Sequence, residues 1–308
     1  MATPLQPSFF DYFIAATVFM IFLMFLYPIY NNDTTTLAVV IPVCFLFSWL
    51  LFRHLTRKIR QRNRNLQKAF PEGWREILQE NVRFYRELDI KKKEQFEREV
   101  YLFLFEKKIT GIDTDVGDLD RLLVASSAVI PIFAFSQWEY DQLDEVLLYS
   151  NSFNQNFETA GEDRYISGMV GNGIVNGKML LSKKDLHFGF IHPQHKKNVG
   201  IHEFVHLIDE SDGSIDGVPD VLMEHQYAEP WLRLMHQEMN KIKSNRSDIN
   251  PYGATSEEEF LPVAAEYFFQ RPNLFRKKHP ELYHMLNKIF RQDPVSIFRK
   301  KVGSLFQK

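Results

Sequence analysis

The 308 residues include 37 basic and 39 acidic side chains, a formal net charge of -2, and 45% of them are hydrophobic. That length allows one domain of roughly 200 to 250 residues plus a further segment, and the near-neutral balance gives no global attraction for a phosphate backbone, so no nucleic-acid partner is expected. The lone cysteine, Cys44, excludes an intramolecular disulfide and reads as apolar filler.

Phe9 to Tyr30 reads FFDYFIAATVFMIFLMFLYPIY, with Asp11 as its one charge. At 1.5 Å per residue such a helix covers a hydrocarbon core of about 30 Å. Leu37 to Phe52 (LAVVIPVCFLFSWLLF) is uncharged but shorter, so a second span draws on Thr34–Thr36 and His54–Leu55 at the interfaces. Asn31, Asn32, Asp33 and Thr34 form a polar turn between the runs, and Tyr12, Tyr27, Tyr30 and Trp49 lie toward their ends as interfacial aromatics do. No basic region precedes Asp11, which argues against a cleaved secretory signal. Arg53, Arg57, Lys58, Arg60, Arg62, Arg64 and Lys68 crowd the exit of the second run, and the positive-inside rule keeps that side cytoplasmic. The expected organisation is a transmembrane hairpin with a basic juxtamembrane segment over 1–62 and one domain over 63–308. The hairpin implies a lipid bilayer as partner and a multi-pass inner-membrane location.

Phe70 to Ile109 alternates apolar and charged positions at helical spacing and predicts two amphipathic helices broken near Leu88–Lys91. Thr114 and Asp115 predict a further helix start, ending by Pro131. Val146–Tyr149, Tyr165–Val170 and Met179–Leu181 are short apolar pieces between turn residues, which predicts a small sheet. Gly168, Gly171, Gly173 and Gly177 are spaced too irregularly for a phosphate loop and read as turn glycines. Helical patterning returns over Val199–Ile208, Val221–Lys243, Ser256–Phe269 and His279–Phe290. The expected fold class is α+β, mainly helical with a small sheet, preceded by two transmembrane helices.

Residues 202 to 206 are His-Glu-Phe-Val-His. On a helix the two imidazoles lie one turn apart on one face, where two nitrogens can close on a zinc ion while Glu203 projects beside them toward a bound water. The motif is only five letters, but Ile201, Phe204, Val205, Leu207 and Ile208 are apolar, and two histidines buried among them need a partner. Catalytic zinc takes a third protein ligand and keeps one position open. Asp212 stands where an extended motif would have its last histidine, so the third ligand is sought among the later acids: Glu224, Glu229, Glu238, Glu257, Glu258, Glu259 and Glu266. Spacing favours the helix beginning at TSEEEF, where Glu259 and Glu266 are two turns apart on one face.

HEFVHLIDESDGSIDGVPDVL followed by NPYGATSEEEFLPVAAEYFFQRPNLF resembles the zinc-dependent peptidases of the Mlc titration factor A family, whose metal domain is similar to that of anthrax lethal factor. The resemblance covers about Gly177 to Phe290, more loosely from Phe70. It implies a zincin-like fold, His202, His206 and Glu259 as zinc ligands, Glu203 as general base, and Tyr252 directed at the reacting carbonyl. Glu266 then reads as a residue holding a ligand. The membrane hairpin is an addition to the family pattern.

The expected function is a membrane-anchored zinc peptidase, its catalytic domain facing the cytoplasm, that hydrolyses peptide or protein substrates through a zinc-activated water. The strand Gly177–Ser182 is expected to pair with extended substrate. The alternative is a membrane-anchored binding protein with a structural or vestigial zinc, recognising a cytoplasmic regulatory protein. Glu203 favours catalysis, because a structural site has no use for a water-activating carboxylate.

Overall fold

The protein is described by a computed structural model over residues 9–30, 34–135, 138–151, 168–170, 177–192 and 194–299. The expected turn at Asn31–Asp33, the strand start at 165–167, Gly171 and Gly173 lie outside these residues. The chain divides into two compact units, Met1–Ala69 and Phe70–Lys308.

The first unit contains α1 (Phe9–Tyr30), α2 (Thr34–Leu55) and α3 (Arg57–Leu66). The first two pack through aromatic side chains, with Tyr12 against Phe52 at 5.2 Å and Phe22 edge-on to Phe47 at 5.5 Å between ring centroids. Thr56 separates α2 from α3 and donates its hydroxyl to the Phe52 carbonyl at 2.7 Å.

The membrane hairpin is corrected here. Among the described residues no helix is long and apolar enough to cross a membrane. A hydrocarbon core demands about 20 predominantly apolar residues in one helix, and none of the described helices meets that demand. With the hairpin go the two transmembrane helices of the expected fold class, the membrane anchoring of either function, the bilayer as partner and the multi-pass inner-membrane location. The cytoplasmic regulatory protein rested on that topology and loses its support.

The second unit runs α4 (Glu72–Asn81), α5 (Arg83–Glu87), α6 (Ile90–Glu106), β1 (Lys108–Ile112), α7 (Asp118–Ile132), β2 (Glu145–Tyr149), β3 (Gly168–Val170), β4 (Lys178–Ser182) and α8 (Lys183–Ile191). It continues with α9 (Val199–Asp209), α10 (Ala228–Lys243), α11 (Glu257–Gln270), α12 (Pro272–Lys278), α13 (Pro280–Phe290) and α14 (Pro294–Arg299). The expected break near Leu88–Lys91 is made by Asp89, whose carboxylate accepts the Lys92 N–H at 3.0 Å and caps α6. A further break falls at Val82, which is extended, and Ile109 enters a strand rather than ending a helix. The helix expected from Thr114 starts at Asp118, where Asp120 accepts the Gly117 N–H at 2.8 Å. The helix expected from Val221 starts at Ala228, with Pro230 inside its first turn, where a missing N–H is tolerated. α8 was not anticipated; Ser182 ends β4 and caps the helix by accepting the Asp185 N–H at 3.2 Å.

The four strands form one sheet in the order β1-β2-β4-β3, with β1, β2 and β4 parallel and β3 antiparallel to β4. Met179, Leu180 and Leu181 are paired to β2 on one side and to β3 on the other. The expectation that β4 pairs with substrate is therefore corrected: Met179 to Leu181 have a neighbouring strand on each side, and among the described residues the sheet edge beyond them belongs to β3. The core gathers around α7, α9 and α11, with Leu122, Phe204, Phe260 and Phe268 fully buried. Each such side chain contributes roughly 1.5–3 kcal/mol by leaving water.

Candidate metal centre

Asn198 starts α9 by accepting the Ile201 N–H on its side chain at 3.1 Å, and its own N–H is donated to Glu266 Oε2. In the first turn, Gly200 lies so close to α7 that a Cβ would strike the Ser127 hydroxyl. Behind the helix, Phe204 is buried against Tyr140 and Phe103 at 5.1 and 5.6 Å between centroids. These contacts fix the rotation of α9 and turn His202 and His206 toward α11.

The third group comes from α11. His202 Nε2 lies 3.1 Å from Glu259 Oε2, His206 Nε2 lies 3.2 Å from His202 Nε2, and His206 Nε2 lies 3.4 Å from Glu259 Oε2. The three donor atoms lie within 4.8 Å of one another and could hold one metal ion, the only such group among the described residues. The other side of His202 is held by Glu266, whose Oε1 is 2.8 Å from Nδ1. Tyr252 sits in a short 3-10 turn, Pro251–Ala254, whose start is fastened by Asn250 accepting the Tyr252 N–H at 3.2 Å. Its hydroxyl donates to Glu259 Oε1 at 3.0 Å. Glu203 is buried on α9 beside the histidines, 5% exposed.

Electrostatics follow from that crowding. Burial works against a charged His202, but Glu259 and Glu266 outweigh it and push the imidazole up to about 10. Burial raises Glu259 as well, yet His202 and His206 together hold it far below the usual carboxylate range. For Glu203 burial prevails over the attraction of the histidines, and its pKa is raised. The Tyr252 phenol is pushed up by burial and then by the charge of Glu259.

Of the acids left open by spacing, Glu259 alone joins both histidines. Glu224 accepts from Gln226, Glu229 pairs with Arg233, Glu238 with Lys241 and His279, and Glu257 with His236; Glu258 is exposed. Sequence reasoning missed Asp209, fully buried at the end of α9. The sequence carries no local signal for it, because Glu210 and Asp212 follow directly and the three acids read alike.

Two histidines on one helix and a carboxylate on another, behind a small mixed sheet, define the class as a metallopeptidase-type domain with a candidate His-His-Glu metal cluster. The glucose-regulated metallo-peptidase M90 family matches residues 56–291, and the chain belongs to it. An uncharacterized protein of Synechocystis is 27% identical over 242 residues, 74% of this chain and 87% of its own. Mlc titration factor A of Pectobacterium atrosepticum is 25% identical over 211 residues, covering 63% of this chain and 77% of that protein. Mlc titration factor A of Escherichia coli is 25% identical over 206 residues, 63% of this chain and 76% of its own.

Proposed function

We propose that this chain is a zinc-dependent peptidase that uses water to cleave peptide bonds, with His202, His206 and Glu259 as metal ligands, Glu203 as general base and Tyr252 as oxyanion donor. The observation that carries this reading is the triangle of His202 Nε2, His206 Nε2 and Glu259 Oε2, with sides of 3.1, 3.2 and 3.4 Å. Zinc bonds of about 2.0–2.1 Å put neighbouring tetrahedral donors roughly 3.3 Å apart, so the donor set suits zinc in spacing as well as in chemistry. Family membership supports the reaction class.

When bound, the ion acidifies a water and polarises the carbonyl to be attacked. Glu203 takes the proton of that water and returns it to the leaving amine; its raised pKa, caused by burial, brings it closer to the pH at which it must do both. Glu266 orients His202 through Nδ1 and leaves Nε2 free to ligate. Tyr252 is half exposed and turns its hydroxyl from Glu259 to the oxygen on which charge develops. Substrate enters extended along β3, the edge strand, which lies against α9.

The test is metal analysis of the purified full chain beside hydrolysis of a peptide library, with and without chelator. Glu203→Gln is expected to keep stoichiometric zinc and lose about 10²–10⁴-fold in turnover. Glu259→Ala is expected to lower zinc affinity, because two histidines alone hold the ion more weakly than three ligands do. Full activity in Glu203→Gln, or a chelator-insensitive hydrolysis, contradicts the reading.

A further inference from the structure

Asp209 closes α9 with 0% exposure. Its Oδ2 accepts the N–H of Gly217 at 2.8 Å, while Oδ1 meets no protein donor among the described residues. A carboxylate buried with one oxygen unsatisfied is unfavourable for stability alone, which directs attention to the bond it does make.

Gly217 has a φ of +76°, a conformation that suits glycine. A Cβ there would strike the backbone carbonyl of Glu257, so this residue rests directly on the first residue of α11. The Gly217 carbonyl accepts the indole N–H of Trp231 at 2.7 Å, and Trp231 packs on Phe260 of α11 at 5.8 Å between centroids. Glu259 lies two residues beyond Glu257 and one before Phe260. One loop backbone is thus held by the C-terminus of the helix that carries the histidines and bears on the first turn of the helix that carries the third donor.

We propose that Asp209 is a positioning residue which, through Gly217, sets the first turn of α11 so that Glu259 reaches His202 and His206. The inference rests on the zinc reading given above. Asp209 touches none of the three donors; it acts on the separation between two helices.

Asp209→Ala removes the acceptor, and Gly217→Ala displaces Glu257 from the other side. Each is expected to weaken zinc binding about 10–100-fold, as loss of supporting groups around metal ligands does, read by competition of the purified full chain against a chromophoric chelator. Asp209→Asn keeps an oxygen for the Gly217 N–H and is expected to bind zinc as the unsubstituted chain does. In a Glu259→Ala background, Asp209→Ala is expected to have no additional effect, because the group it positions is gone; a purely structural defect would lower affinity there too. Unchanged affinity in folded Asp209→Ala, or an equal loss in the Glu259→Ala background, overturns the proposal. If Asp209→Ala does not fold, Gly217→Ala carries the same cycle. If neither folds, Asp209→Asn decides, and a tenfold loss in it overturns the proposal. Absence of zinc from the unsubstituted chain overturns the zinc reading and this inference together. Zinc that the unsubstituted chain binds, that Glu259→Ala holds more weakly and that Asp209→Ala holds as tightly as before overturns this inference alone.

Discussion

Glu266 bonds His202 Nδ1 at 2.8 Å with one oxygen and the backbone N–H of Asn198 with the other. A single carboxylate therefore holds both the start of α9 and the orientation of its first histidine. In Glu266→Gln an amide group replaces one acceptor and must face one of these two donors. Zinc affinity is expected to fall about 10–100-fold while both histidines and Glu259 remain. Chelator competition on the folded variant checks it, and wild-type affinity would show that Glu266 serves packing alone.

Tyr252 reaches the cluster through its hydroxyl on Glu259 Oε1, at 3.0 Å, and through its ring, whose centroid lies 6.0 Å from that of His202. Tyr252→Phe removes one hydroxyl and no ligand. Zinc content is expected to stay stoichiometric while kcat drops by about 10²–10³, the range for one oxyanion donor. A loss confined to KM would assign the hydroxyl to substrate binding instead.

Gly200 and Ser127 meet where α9 crosses α7, with no space for a Cβ between them. Gly200→Ala is expected to destabilise the fold by about 1–3 kcal/mol, the usual range for overpacking. Adding Ser127→Gly is expected to restore part of that loss, as a double-mutant cycle in chemical denaturation reads directly. Additive effects of the two substitutions would show that the helices do not press on each other at this point.

His279 donates to Glu238 Oε2 at 3.2 Å and to Asp248 Oδ1 at 2.8 Å, which requires the imidazolium. Burial lowers its pKa, but the two carboxylates outweigh burial and the net shift is upward. The stabilisation is therefore fully present below about pH 6.5 and is lost as pH rises through the higher folded value. Asp248 has the opposite sign: burial raises it, yet Lys196, His279, Lys278 and Tyr267 hold it far below its ordinary range. Its contribution is present above about pH 3.9 and is lost as pH falls through the folded value. The stability advantage of the unsubstituted chain over His279→Gln is expected to be greatest between about pH 4 and 6.5 and to shrink on the alkaline side. Denaturant titrations across that range test it; an advantage that grows with alkaline pH contradicts the charged bridge.

What could be read from residues in order was what depends on near neighbours. The pair His202 and His206 falls on one face because the helical period puts i and i+4 there whatever the rest of the chain does. The start of α9 was legible for the same reason, since Asn198 caps it with its own side chain. The short apolar pieces near Glu145–Tyr149 and Lys178–Ser182 were recognisable as strands, but their order was not: pairing is a contact between distant segments, and only the fold puts β3 outside β4. The apolar character of the first segments was equally plain, and composition by itself overreached into a membrane hairpin that the described helices do not support.

The family resemblance named Glu259, but local spacing did not, and the physical reason for the choice lies in the tertiary structure. Successive residues on a helix point about 100° apart, so Glu257, Glu258 and Glu259 face three directions, and local spacing gives no preference among them. The rotation and distance of α11 relative to α9 make the choice, and these are set by Gly217 against Glu257, by Trp231 against Phe260 and by Glu266 on His202. Asp209 was invisible for the same reason: its bond to Gly217 acquires meaning only when two helices, far apart in sequence, must deliver three atoms to one point. The sequence determined which chemistry was available, because residue type and helical period are local; packing determined which carboxylate takes part, because convergence is a property of three dimensions.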